Sequence, residues 1–168
     1  MMRYLMYAAF IMLFTAVQAQ NVRLPKKVRE QFVGTWSLVS VENTDAGGSK
    51  TLPYGENPVG LLVFTDAGEY AIQILKAIRP KVAAGDKNKA TPDENAALVQ
   101  GNNSHFGTYT VDPEKQSISF RVQHAFYPNW EGNVQVRSYT LENNLLSYVV
   151  THTTNGGATT ARVVWKKK

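Results

Sequence analysis

Residues 59–75 read VGLLVFTDAGEYAIQIL. Two apolar runs, Val59–Thr65 and Glu69–Leu75, flank the turn Thr65-Asp66-Ala67-Gly68. In the second run Tyr70, Ile72 and Ile74 share one face and alternate with Glu69, Ala71 and Gln73. A period of two is the mark of a half-buried strand. Asp and Gly tolerate the backbone angles of a tight reversal. The stretch therefore predicts a hairpin, and a hairpin makes its two strands antiparallel neighbours.

The same pattern recurs on either side. Val33–Glu42, Phe106–Val111, Ser117–His124, Val134–Leu141, Leu145–His152 and Thr159–Lys166 are rich in Val, Ile, Tyr, Phe, Trp and Thr. Turn chemistry separates the later ones. Asp112-Pro113-Glu114-Lys115, Glu142-Asn143-Asn144 and Asn155-Gly156-Gly157 each combine residues that preset or permit a reversal. Eight antiparallel strands leave exposed edges unless the sheet closes on itself. The expected fold is all-β, an eight-stranded antiparallel up-and-down barrel. Its interior has room for side chains or one small ligand.

Two segments depart from the period of two. In residues 24–32 (LPKKVREQF), Leu24, Val28 and Phe32 recur every four residues, which predicts a short N-terminal helix with one apolar face. Residues 77–104 separate two strands by nearly thirty positions. Ile78–Lys89 is basic and broken by Gly and Pro, a loop. Thr91-Pro92-Asp93-Glu94 then reads as a helix start, with Thr91 as cap and a helix over 92–101. An insertion of this length in a compact domain is expected to act as a lid over one barrel end.

Residues 1–19 carry one charge, Arg3. They are nearly all apolar from Leu5 to Val17 and finish on Val17-Gln18-Ala19. A basic start, a short apolar core and a small-x-small end predict a secretory signal peptide cleaved after Ala19. The apolar run falls short of the ~20 residues needed to span a bilayer. The expected domain is therefore 20–168, periplasmic or secreted, with no stable membrane insertion after cleavage. No Cys follows the cleavage site, which excludes a lipid-modified lipoprotein. The chain has no cysteine at all, which argues against a disulfide-stapled toxin or growth factor and fits a bacterial periplasm. The net charge of +5 is concentrated at Arg23, Lys26, Lys27 and Arg29 and at Lys166, Lys167 and Lys168. No basic-aromatic module accompanies it. The expectation is two solvated tails rather than a nucleic-acid surface.

The run Gly34-Thr35-Trp36-x-Leu38, Gly60-x-Leu62, Gly68, Phe106-Gly107-Thr108-Tyr109-x-Val111, His124, Pro128-Asn129-Trp130-x-Gly132 and Arg137 resembles the bacterial and fungal lipocalin-like domain family, over about residues 32–166. The opening Gly-x-Trp after a short helix is similar to the start of calycins in general. The resemblance implies a ligand-holding barrel. For members beside biosynthetic genes, it implies carriage of polyketide-like compounds or enzymatic action on them. The animal-lipocalin disulfide is absent, and the 77–104 insertion is not an animal-lipocalin feature.

Strand parity nominates the interior. Trp36, Leu38 and Ser40 alternate on the first strand. Ile118, Phe120, Val122 and, in phase, His124 alternate on the fifth. Gln135, Arg137, Tyr139 and Leu141 do so on the sixth, and Tyr148, Val150 and His152 on the seventh. With Tyr70 and Tyr109, and with Trp130 in the loop after His124, the expected ligand-binding set is Trp36, Tyr70, Tyr109, Phe120, His124, Trp130, Arg137, Tyr139 and Tyr148. That is an aromatic cavity with few polar groups. An inward Arg137 needs a partner. The partner is either a ligand carboxylate, phenolate or enolate, or else the Trp36 ring or a backbone carbonyl. His124 at the barrel mouth is the candidate general acid or base. His105 and His152 read as exposed strand-end residues. Three scattered histidines do not make a metal site, and no phosphate loop, dinucleotide glycine pattern or nucleophile elbow is present. No cofactor is expected.

Three readings follow. The first is binding of a small, mainly hydrophobic or aromatic molecule in the barrel. The alternative is an isomerase, cyclase or hydratase in which His124 moves a proton and Arg137 or Tyr109 stabilises oxyanion charge. A barrel filled by its own side chains, serving as an interaction module, is the third possibility.

Overall fold

The computed structural model describes residues 25–154 and 160–168. The expected signal peptide, Leu24 and the Asn155-Gly156-Gly157 turn lie outside the described residues.

The chain builds one helix, α1 (Lys26–Phe32), followed by β1 (Gly34–Thr44), β2 (Lys50–Thr51), β3 (Val59–Phe64) and β4 (Glu69–Leu75). A second helix, α2 (Pro92–Gln100), precedes β5 (Asn102–Asp112), β6 (Ser117–Ala125), β7 (Val134–Glu142), β8 (Leu145–Val150) and β9 (Thr160–Lys167). All pairings are antiparallel. The order β1-β3-β4-β5-β6-β7-β8-β9 returns to β1 through pairs running from Trp36↔Lys167 to Thr44↔Thr160. Eight strands thus close a barrel, as the alternation predicts. β2 only adds two residues beside Asn43 and Thr44. Among the described residues, no helix is long and apolar enough to cross a membrane.

Within the described residues the predicted turns form where the sequence places them. Asn143 and Asn144 both adopt positive φ (49° and 64°), the geometry of a two-residue hairpin whose twist matches its strands. The Asp112 carboxylate accepts the amides of Glu114 and Lys115. Thr91 and Glu94 cap α2 reciprocally, through Glu94 N–H to Thr91 Oγ1 and Thr91 N–H to the Glu94 carboxylate.

One barrel end is closed by α1. Its Val28 and Phe32 are buried. Phe32 meets Phe64 edge-on at 6.0 Å and Tyr139 at 5.2 Å. Trp36 Nε1–H donates to the Phe32 carbonyl at 2.9 Å. Lys167 Nζ donates to the Glu30 and Gln31 carbonyls and lies 5.4 Å from the Trp36 ring. These are C-terminal carbonyls that the helix itself leaves unpaired. Lys167 is therefore no solvated tail. It is the last residue of β9, and it pins the plug helix; burial lowers its pKa.

Two bulges break the simple parity. Opposite β9, Leu38 pairs with Trp165 and Ser40 with Val164, so Val39 is extra. The inward phase then passes to Val41 and Asn43 instead of Ser40. Between β5 and β6, Phe106 pairs with His124 but Gly107 with Val122, leaving Gln123 extra. A Cβ on Gly107 would collide with the Arg121 carbonyl oxygen, so glycine is what lets β6 fold in at this point. One inserted residue reverses every later side chain.

Candidate functional site

The barrel interior has two halves. Toward α1 it is solid. Trp36, Phe64, Tyr109, Ile118, Phe120, Leu146 and Trp165 are buried there, with Phe64 against Tyr109 at 4.4 Å and against Phe120 at 6.1 Å. Tyr109 donates its hydroxyl to the Thr65 carbonyl at 3.1 Å, and burial raises its pKa.

Toward the other end the interior opens into a cavity of about 350 Å³. Ile72, Val150 and Val163 give it apolar walls. Asn43, Asn103, His105, Gln135 and Arg137 bring polar groups, and Tyr54, Trp130 and Thr151–Thr154 stand at its mouth. The strands supply the first two groups and the loops after β2, β6 and β8 supply the third.

Arg137 marks the boundary between the halves. It is 6% exposed. Its guanidinium lies 4.7 Å from the Phe120 ring centre and 4.8 Å from that of Tyr148, an arrangement that attracts cations to ring faces. Nη2 donates to Gln135 Oε1 at 2.6 Å, while Nε has no protein partner. The Trp36 ring, a possible resting place for this guanidinium, is covered instead by Lys167.

His105 is 4% exposed, which corrects the expectation of an exposed strand end. It sits inside because it is in phase with Gly107 and Tyr109 on β5. Its Nδ1 lies 2.8 Å from the Tyr70 hydroxyl, and Trp130 meets it edge-on at 5.8 Å. Burial, reinforced by the Arg137 charge, pushes the imidazole pKa down to about 3, so the ring is neutral at physiological pH. Burial pushes Tyr70 up, so the phenol keeps its proton and can donate it to Nδ1. That leaves the ring proton on Nε2. Burial also raises Tyr54.

The family model for the lipocalin-like domain matches residues 33–168. The chain belongs to that family. Among solved structures, it is similar to a lipocalin-like protein from Bacteroides uniformis at 14% identity and a TM-score of 0.43, over 82% of this chain and 99% of that one. None of the curated proteins matches the chain.

Of the residues nominated for ligand binding, this lipocalin-like barrel places Trp130, Arg137 and Tyr148 on the cavity wall. Tyr70 sits behind it, on His105. Trp36, Tyr109 and Phe120 belong to the packed half, and Tyr139 packs against Phe32. His124 is displaced altogether. The bulge at Gln123 turns it to the outer surface, where its side chain is 69% exposed and lies 3.5 Å from Glu131 and 5.5 Å from the Phe106 ring. His124 and Arg137 are therefore not brought together, so a proton moved by His124 and an oxyanion held by Arg137 have no shared site. Among the described residues, no group of three or more His, Cys, Asp or Glu is placed to hold a metal.

The insertion between β4 and β5 also differs from expectation. No residue of 76–101 lines the cavity, and α2 buries none of its side chains. The mouth is instead framed by Tyr54, Trp130 and Thr151–Thr154. Asn43, Tyr54 and Thr153 carry no periodic signal in the sequence, and Asn103 lies before the stretch that reads as a strand, although it shares the phase of Tyr109. His105 carries such a signal, through its phase with Tyr109.

Proposed function

We propose that the protein is an exported binding protein that holds one small, mainly hydrophobic or aromatic molecule in the open half of its barrel. The observation that carries this reading is the cavity itself. A closed sheet packs solidly around α1 and yet leaves about 350 Å³ above Arg137. That is more than twice the ~150 Å³ apolar cavity known to accept benzene, and it lies within the range of small-molecule sites. Apolar walls with a few convergent polar groups suit a ligand of one or two rings. The filled-barrel alternative fits only the α1 half.

Export rests on residues 1–19, with their Arg3, apolar core and Val17-Gln18-Ala19 end. Mass measurement of the protein recovered from a periplasmic or culture-medium fraction tests it. Expected is a chain starting at Gln20; a full-length chain confined to the cytoplasm would refute it.

Trp130 at the mouth makes ligand entry optically visible. Titration with a panel of hydrophobic aromatic probes should give saturable quenching of intrinsic fluorescence. No saturable change with any probe, at intact fold by circular dichroism, would refute the binding reading.

A further inference from the structure

Three buried polar atoms without a protein partner, Arg137 Nε, Asn103 Oδ1 and Thr153 Oγ1, belong to residues that line the same cavity. The Asn103 side chain also hydrogen-bonds Tyr54, so Arg137 Nε and Thr153 Oγ1 weigh more heavily. Buried polar atoms of this kind are few in folded proteins, and each costs free energy unless something satisfies it. That three of them border one cavity, from β5, β7 and the loop after β8, is the mark of a ligand that satisfies them.

The charge balance narrows the ligand further. Arg137 is cationic and buried, and among the described residues no Asp or Glu lines the cavity. The nearby ionisable groups supply no negative charge either, since Tyr70 stays a phenol and His105 a neutral imidazole. Among the described residues, two ring faces and one glutamine oxygen meet the guanidinium. An uncompensated buried charge is strongly unfavourable. The planar guanidinium fork matches a carboxylate through paired N–H···O bonds. Among the described residues no lysine and no second arginine lines the cavity, His152 at the mouth being the remaining basic side chain, which disfavours a phosphate dianion.

We infer that the ligand is a monoanionic aromatic or alicyclic carboxylic acid. Its carboxylate pairs with Arg137 at the cavity floor, its hydrocarbon body lies against Ile72, Val150 and Val163, and a hydrogen-bonding group reaches Asn103 and Thr153 near the mouth. This rests on the binding reading above and adds the chemical class. In this account Arg137 is kept for the ligand at the expense of the empty barrel's stability.

The test is calorimetric titration of the purified protein with 2-naphthoate and with its uncharged isostere 2-naphthylmethanol, alongside Arg137→Met and Arg137→Lys. Wild type is expected to bind the acid about tenfold to a hundredfold more tightly than the alcohol, the range for a hydrogen bond to a charged group. Arg137→Met should lose that preference, still bind the alcohol, and melt a few degrees higher without ligand. Arg137→Lys should keep part of the preference. If wild type binds both probes equally, the anion site is refuted while the binding barrel stands. If it binds neither, the binding reading falls and this inference with it. An Arg137→Met protein that melts well below wild type yet keeps the acid preference would make Arg137 a structural pillar and overturn the assignment. If that variant does not fold, the wild-type preference alone decides.

Discussion

The two halves of this barrel are made from the same strands and obey opposite rules. In the α1 half, aromatic rings fill the interior, and nearly every polar atom has a partner: Trp36 Nε1 finds the Phe32 carbonyl, Tyr109 finds Thr65, and Lys167 finds the end of α1. Trp165 Nε1 is left without a partner, and Arg29 Nε on α1 has no counterpart beyond its ion pair with Asp66. In the open half a cavity remains, and three polar atoms are left over. The contrast teaches where stability and function separate. One half closes the sheet and holds it; the other keeps open space and unpaired polar atoms, which is where we propose the ligand sits.

The sharpest way to break that comparison is to unplug the packed half. Phe32→Ala removes a fully buried ring that touches Phe64 and Tyr139. It should cost about 3–5 kcal/mol in urea unfolding. A loss under ~1 kcal/mol would mean that α1 is an ornament and not a plug.

Acid should act next most strongly, and through the open half. The folded His105 ring binds a proton only near pH 3, whereas an unfolded histidine does so near 6.5. Between those values the unfolded chain holds more protons, so stability is fully present above about pH 6.5 and falls as pH drops toward 3. The loss should reach roughly 2–4 kcal/mol. Its part between pH 6.5 and 4.5, above the carboxylate range, should shrink in His105→Asn. A flat unfolding free energy across that window would show the ring to be solvated.

A matched pair of identical deletions compares the halves more finely. Val28→Ala opens a new void under α1. Val163→Ala only widens an existing cavity. The first should cost about 2 kcal/mol and the second about 1 kcal/mol or less, because the surroundings of Val163 already lack contacts on one side. Equal losses would argue that the cavity is as tightly packed as the plug.

The smallest effect is expected from the insertion. Lys76 N–H already donates to the Gly101 carbonyl at 3.0 Å, so residues 77–100 can be replaced by a short turn. Stability should change by less than ~1 kcal/mol and probe affinity should stay the same. A large loss of affinity would restore the insertion to the role of a lid.

Much of this architecture is legible in the sequence, and the reasons for the rest are local. Period-two alternation, Asn-Asn and Asp-Pro turns and the Thr91–Glu94 cap act through neighbours a few residues apart, and all of them form as written. The site depends on parity, which one extra residue reverses. Gln123 turns His124 outward, and Val39 exchanges Ser40 for Val41 and Asn43. Nothing in the residues near Val39 announces its bulge. Gly107, by contrast, is a visible hint for the other, a glycine on the inward phase of a strand. His105 shares that phase, and its burial follows from it. Tyr54 and Thr153 arrive on loops, where no periodicity exists. Which half would be solid was legible only in part, since Trp36, Tyr109 and Phe120 look alike on parity whether they line a cavity or fill it.

The most direct test of the two-halves account is native mass spectrometry of the protein purified from its own source. The account predicts that the folded protein carries one small acidic molecule per chain, released on unfolding and bound less tightly by Arg137→Met. A folded protein found only at its unliganded mass, with no small molecule recovered after denaturation, would contradict it.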